Sequence, residues 1–145
     1  MPLLDFLESQ SVLPALRVSG KKQALQELAA HSARLLNLDE GMIFEALLQR
    51  ERLGSTGIGE GVAIPHGKLP GLDRIFGLVA RLEKPIDFEA LDGQHVDILF
   101  LLLAPEGAGA DHLKALARVA RVLREPGLVD RIRGTREASK ASKRT

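Results

Sequence analysis

The 145-residue chain is 45% apolar, enough for the core of one ordinary domain, and it contains no cysteine, which excludes disulfide frameworks and thiolate chemistry. Twenty Lys and Arg against nineteen Asp and Glu leave a net charge of +1 with the signs interspersed, so there is no general field for nucleic acid or anionic lipid. Five Phe with neither Trp nor Tyr give no base-stacking platform, and the longest apolar run, Ile98–Ala104, falls far short of the roughly 20 residues that cross a bilayer.

Met1–Gln10 lacks a basic start before an apolar block, so no targeting segment and a cytoplasmic protein are expected. Leu13–Val18 reads as a first strand. Ser19 is placed to cap a helix whose Leu25, Leu28, Ala29, Leu35 and Leu36 recur at helical spacing. Asn37 and Asp39 interrupt that pattern, and Asp39 caps a second helix over Glu40–Leu53. The four glycines of Gly54–Gly61 predict a loop rather than regular structure. Val62–Ile64 is a short apolar run ended by Pro65, with His66 on the corner and Gly67 allowing a sharp turn.

Ile75–Leu82 and Asp97–Ala104 have strand length, and the second is so continuously apolar that both of its faces must be covered. Asp92-Gly93 marks a turn between them, closing a short strand at Ile86–Phe88. Asp111 then caps a helix with Leu113, Leu116, Ala117, Ala120 and Leu123 inward, which Pro126 ends, and Leu128–Arg133 forms a last short helix. The elements predict an α/β (α+β) fold, a mixed β-sheet sandwiched by helices, over residues 1–134. Residues 135–145 are read as a polar basic tail, frayed and solubilising.

With no thiol available, the four histidines carry the chemical interest. His66 follows a glycine loop and Pro65, a setting that can turn one ring nitrogen outward while the other donates to backbone. Ser55–Gly61 lacks the Gly-Lys-Ser/Thr ending of a nucleotide-binding loop. It reads equally as a tight connector or as an anion-binding concavity to which the Ser55 and Thr56 hydroxyls donate. Arg50 continues the apolar stripe of Ile43 and Ala46 or Leu47 into that loop, and an arginine there needs an anionic partner. Glu51 and Arg52 read as solvated surface charges. His112, in the first turn of its helix, is either a packed capping-turn residue or a neutral imidazole facing an anion. His31 and His95 look like surface residues.

The run Arg50-Glu51-Arg52-Leu53-Gly-Ser-Thr-Gly-Ile-Gly-Glu-Gly-Val-Ala-Ile-Pro-His-Gly-Lys resembles the active-site segment of the fructose and mannitol class of enzyme IIA in the bacterial phosphotransferase system. Val96–Pro105 and His112-Leu113 resemble that family's central strand and second histidine, and the likeness runs from about Leu13 to Gly134. The resemblance implies that His66 is the phosphoryl acceptor and that His112 and Arg50 hold the phosphoryl group, with neither metal nor cofactor.

The free-standing chain is most similar to the family's nitrogen-regulatory branch. That implies a histidine phosphocarrier as donor, and regulated targets such as potassium transport or sensor-kinase components, with no nucleic acid and no membrane insertion. The family's C-terminus usually continues as a helix, so contacts made there are not carried over to the basic tail. The rivals are a sugar-specific enzyme IIA feeding a fructose- or mannitol-type permease and a regulatory binding module without phosphotransfer. A His66 and His112 metal site has no carboxylate or thiolate spaced to complete it.

Overall fold

The apolar run around Phe100 becomes a ten-residue strand, Val96–Pro105, in which every residue from Ile98 to Ala104 is buried. In chain order the elements are β1 (Val12–Leu16), α1 (Lys21–Leu36), α2 (Glu40–Arg52), β2 (Gly57–Gly59), β3 (Val62–Ala63), β4 (His66–Leu69), β5 (Phe76–Ile86), β6 (Val96–Pro105) and α3 (Ala110–Leu123). A helical segment at 127–133 follows. The computed structural model describes residues 12–125 and 127–133. The Met1–Gln10 lead, Pro126 and the 135–145 tail lie outside the described residues.

The sheet runs β1-β5-β6-β3-β2, with β4 also on β6. Pairing is antiparallel for β5–β6 and β2–β3 and parallel for β1–β5, β3–β6 and β4–β6, the mixed sheet expected. β3 and β4 are two pieces of one interrupted neighbour of β6: Val62 and Ala63 pair Ile98 and Leu99, and His66–Leu69 then run beside Leu102–Pro105. The interruption is Ile64-Pro65. Pro65 has no N–H for the ladder, yet its carbonyl still accepts from the Leu102 N–H at 3.0 Å.

One face packs on α1 and α2, where Leu25, Leu28, Ile43 and Leu47 meet Leu78, Ala80, Leu99 and Leu101. The other packs on α3 and the 127–133 segment, where Val119, Leu123 and Ile132 meet Val79, Ile98, Phe100 and Leu102. Each of the Val, Leu, Ile and Phe side chains among these contributes about 1.5–3 kcal/mol on burial. A one-residue slip of β5 or β6 would exchange the two sets between faces, which fixes the register.

Several local expectations need correction. α1 is capped by Gly20 with no side-chain bond, and Ser19 instead donates its N–H and hydroxyl to Gln23 Oε1. Leu35 is 47% exposed, because the buried face of α1 continues through Ser32 and Ala33. The Asp39 cap forms as expected, accepting from the Met42 N–H at 2.8 Å. Within the glycine segment lies the short strand β2, paired to β3. His66 opens β4 rather than standing on a corner, and Gly67 is part of that strand; the chain turns at Gly71, whose φ is +82°. Ile86 belongs to the end of β5, opposite Val96 beyond a register shift, so Ile86–Phe88 is not a separate strand. α3 is capped by Gly109, with Asp111 already inside the helix. Leu113 is 66% exposed and Ala117 is exposed as well, while His112, Val119, Val122 and Leu123 supply the buried stripe.

Candidate functional site

Alternation along β4 turns Gly67 and Leu69 toward α2 and His66 toward α3. A Cβ on Gly67 would lie 3.4 Å from the Ala46 Cβ, so glycine here lets α2 pack directly against the strand. Arg50, one turn beyond Ala46, is thereby carried to the His66 ring.

Arg50 Nε donates to His66 Nε2 at 3.1 Å, and His66 Nδ1 lies 2.9 Å from the Ile64 carbonyl oxygen. A donor at Nε2 and a carbonyl at Nδ1 are satisfied together only by the neutral ring with its proton on Nδ1. Burial, chiefly, holds the His66 pKa below the ordinary histidine value; the Arg50 charge adds to this, while the Ile64 bond and the Glu51 charge oppose it. The lone pair on Nε2 therefore carries no proton at neutral pH and accepts the Arg50 Nε–H.

His112 sits in the first turn of α3, its ring centroid 5.4 Å from that of His66 with the planes at 63°. It is buried, and its Nε2 has no hydrogen-bond partner. Burial, then the charges of His66 and Lys68, push its pKa down. A buried ring nitrogen without a partner is costly, and here it belongs to the ring beside His66.

The glycine segment is clamped rather than loose. Ser55 Oγ donates to the Phe88 carbonyl at 2.8 Å and accepts from the Gly57 N–H at 3.1 Å. A Cβ on Gly57 would fall 2.7 Å from the Ala90 Cβ, so only glycine admits the 87–95 loop at this distance. Thr56 gives both its N–H and its hydroxyl hydrogen to the Glu51 carboxylate. The Ser55 and Thr56 hydroxyls, expected as phosphate donors, thus have other acceptors in this structure.

Glu51 is the largest departure from the sequence reading: it is buried, 7% exposed, and ion-paired to Lys21 Nζ at 3.0 Å. The signal was present, because Ile43, Leu47 and Glu51 follow one another at intervals of four on a single helix face. Arg52, by contrast, is exposed as expected.

Arg50, Ser55, Thr56 and His66 line one open depression of about 430 Å³, and His112 meets His66 at its side. Leu91 and Leu113, 91% and 66% exposed, stand at its mouth. His31, bonded to Arg34 on α1, and His95, exposed, take no part.

Residues 5–143 match the family described as phosphoenolpyruvate-dependent sugar phosphotransferase system, EIIA 2. The chain belongs to this family. It is 62% identical over 138 residues to a nitrogen regulatory protein of Bradyrhizobium diazoefficiens, covering 95% of this chain and 90% of that one. The crystal structure of nitrogen regulatory protein IIA-Ntr from Neisseria meningitidis superimposes with a TM-score of 0.80 at 35% identity, over 86% of this chain and 85% of that one. IIA mannitol from Escherichia coli shares the fold, with a TM-score of 0.71 at 16% identity over 87% of this chain and 89% of that one. Among the described residues of this EIIA-family chain, no helix is long and apolar enough to cross a membrane.

The depressed His66 pKa has a measurable consequence. A histidine lowered in the folded state stays neutral while its unfolded counterpart protonates, so its contribution to stability is present above about pH 6.5 and is lost as the pH falls through the folded value. NMR titration of the ring protons is expected to place the His66 midpoint below the ordinary histidine value of about 6.5. A midpoint at or above that ordinary value would contradict the burial argument.

Proposed function

We propose that this chain is a phosphoryl acceptor in a phosphoenolpyruvate-dependent relay, phosphorylated on His66 Nε2 by a histidine phosphocarrier and acting through its phosphorylation state on partner proteins. The observation that carries the reading is the pair of contacts on His66: Nδ1 anchored on the Ile64 carbonyl and Nε2, with its lone pair, facing Arg50.

As the Arg50 Nε–H turns from the ring to the incoming phosphoryl oxygens, the Nε2 lone pair is released and attacks phosphorus in line, and the breaking P–N bond leaves its electrons on the donor's ring nitrogen. The donor ring departs neutral when its other nitrogen keeps a proton. His66 retains its Nδ1 proton and becomes an imidazolium-like ring, whose positive charge is matched by the Ile64 carbonyl and the phosphoryl oxygens. Transfer of this kind asks for alignment and charge compensation rather than covalent work by the protein. Arg50 has five N–H donors, and those not held by His66 and the Gly54 carbonyl are free to follow the equatorial oxygens. The unpartnered His112 Nε2 supplies a further contact.

The exposed Leu91 and Leu113 beside the depression suit a protein donor rather than a small molecule. Phosphorylation adds about −1.5 to −2 charge to this face. That is enough to change which partners dock there, and the regulated partners proposed are potassium transport or sensor-kinase components.

Incubation with a phosphoenolpyruvate-charged phosphocarrier is expected to add a single acid-labile phosphoryl group, mapped by mass spectrometry to His66. Addition at another residue would overturn the assignment. Onward passage to a fructose- or mannitol-type permease domain would favour the sugar-specific reading. Regulation that persists without any phosphorylation would favour a plain binding module.

A further inference from the structure

The buried Glu51 has no part in the chemistry above, yet its hydrogen bonds lead to the reacting ring. Its carboxylate accepts the Thr56 N–H at 3.1 Å and the Thr56 hydroxyl. The Thr56 carbonyl accepts the Ile64 N–H at 3.0 Å, and the Ile64 carbonyl in turn holds His66 Nδ1 at 2.9 Å. Arg50, the residue before Glu51, holds the other ring nitrogen at 3.1 Å. Both nitrogens of His66 are thus referenced to the last turn of α2, one directly and one through two backbone steps.

We propose that Glu51 is a positioning residue for phosphoryl transfer, fixing the tautomer and orientation of His66 through Thr56 and Ile64, with Lys21 as its counterion. The inference rests on the acceptor reading of His66 but concerns a different residue. A buried carboxylate is unfavourable unless paired and hydrogen-bonded. Glu51 has a side chain only 3% exposed and meets both conditions: the Lys21 ammonium at 3.0 Å and two donors from Thr56. Lys21 is itself held, with Nζ 4.9 Å from the centre of the Phe88 ring. Phe88 also receives the Ser55 hydroxyl on its carbonyl, so α1, α2, the glycine segment and the 87–95 loop meet around one carboxylate.

Second groups that orient a catalytic histidine through its non-reacting nitrogen typically change rates by 10–100-fold when removed from metal-ligating histidines, and the same order is expected here. In Glu51→Gln the rate constant for phosphate uptake at saturating donor falls about tenfold or more, with the donor concentration for half-maximal rate unchanged. The His66 ring should titrate lower still, having lost a negative charge that favours its protonation. Its Nδ1 proton, followed by NMR, should exchange faster with water. Thr56→Val, which leaves the Lys21–Glu51 pair in place, should give the same pattern more weakly, and Thr56→Ser should recover most of the loss.

Folded Glu51→Gln protein with the wild-type uptake rate, His66 midpoint and Nδ1 exchange overturns the proposal. Should Glu51→Gln not fold, the Thr56→Val and Thr56→Ser pair decides on the same three readouts. A wild-type protein that takes up no phosphate overturns the acceptor reading instead, and the titration and exchange measurements still decide the role of Glu51.

Discussion

Replacing His66 by Asn is expected to reduce phosphate incorporation from a charged phosphocarrier to background while leaving the protein folded. An Asn side chain can place an N–H near the position of Nδ1, where it meets the Ile64 carbonyl now bonded to the ring at 2.9 Å. It offers no imidazole lone pair opposite Arg50. His66→Ala removes both functions and leaves a buried carbonyl and the Arg50 Nε without their partner, at a cost of about 1–3 kcal/mol. A domain of ordinary stability, about 5–15 kcal/mol, tolerates that. Loss of uptake with a circular dichroism spectrum like that of the native chain therefore reports on chemistry. The stringent control is His112, the ring 5.4 Å away. If His66→Asn protein still takes up a phosphoryl group and it maps to His112, the two rings have interchangeable roles and the acceptor has been misassigned.

The layers of this fold were legible because its strongest signals are local and redundant. The apolar run Ile98–Ala104 demanded cover on both faces, and the Asp39 cap, together with the break at Asn37, separated α1 from α2. What failed were features decided by tertiary contact. Ser19 and Asp111 are good cap residues by type, but Gly20 and Gly109 take those places, with Gly109 at a φ of +57° that side chains rarely adopt. The outward faces of Leu113 and Ala117 follow from where α3 meets the sheet, which the helical period alone does not set.

The site shows the same division. His66 and Arg50 were singled out because histidine and a stripe-bound arginine are conspicuous in a chain with no thiol, while His112 stood out through the family resemblance, and the structure brings the three together. Glu51 was passed over beside Arg50 although its spacing to Leu47 and Ile43 is equally helical. A buried acid is the less expected reading of a charged residue, and its partners, Lys21 and Thr56, come from another helix and a loop. The part of the site proposed to meet phosphate is written in residue types. The part that holds it still is written in contacts.

Arg50 gives the second large effect. Substitution by Met is expected to lower the uptake rate about 10²–10³-fold, the usual result of removing one preorganised donor to transition-state charge. Arg50→Lys should recover only a fraction of that. A lysine keeps the charge but is a single flexible ammonium, whereas the arginine fork bonds His66 Nε2 at 3.1 Å and the Gly54 carbonyl at 2.9 Å together. The two substitutions also separate charge from geometry at the ring. Arg50 is one of the groups that depress the His66 pKa, so Arg50→Met should raise the midpoint while Arg50→Lys leaves it lower. A raised midpoint makes the ring easier to protonate, and a protonated Nε2 has no lone pair to attack with. The rate of Arg50→Met should then recover partly with increasing pH through the histidine range, against a flatter profile for the native chain. A rate that stays low and flat with pH would mean that Arg50 acts on the transferring phosphoryl group alone. A rate close to native at every pH would remove Arg50 from the site.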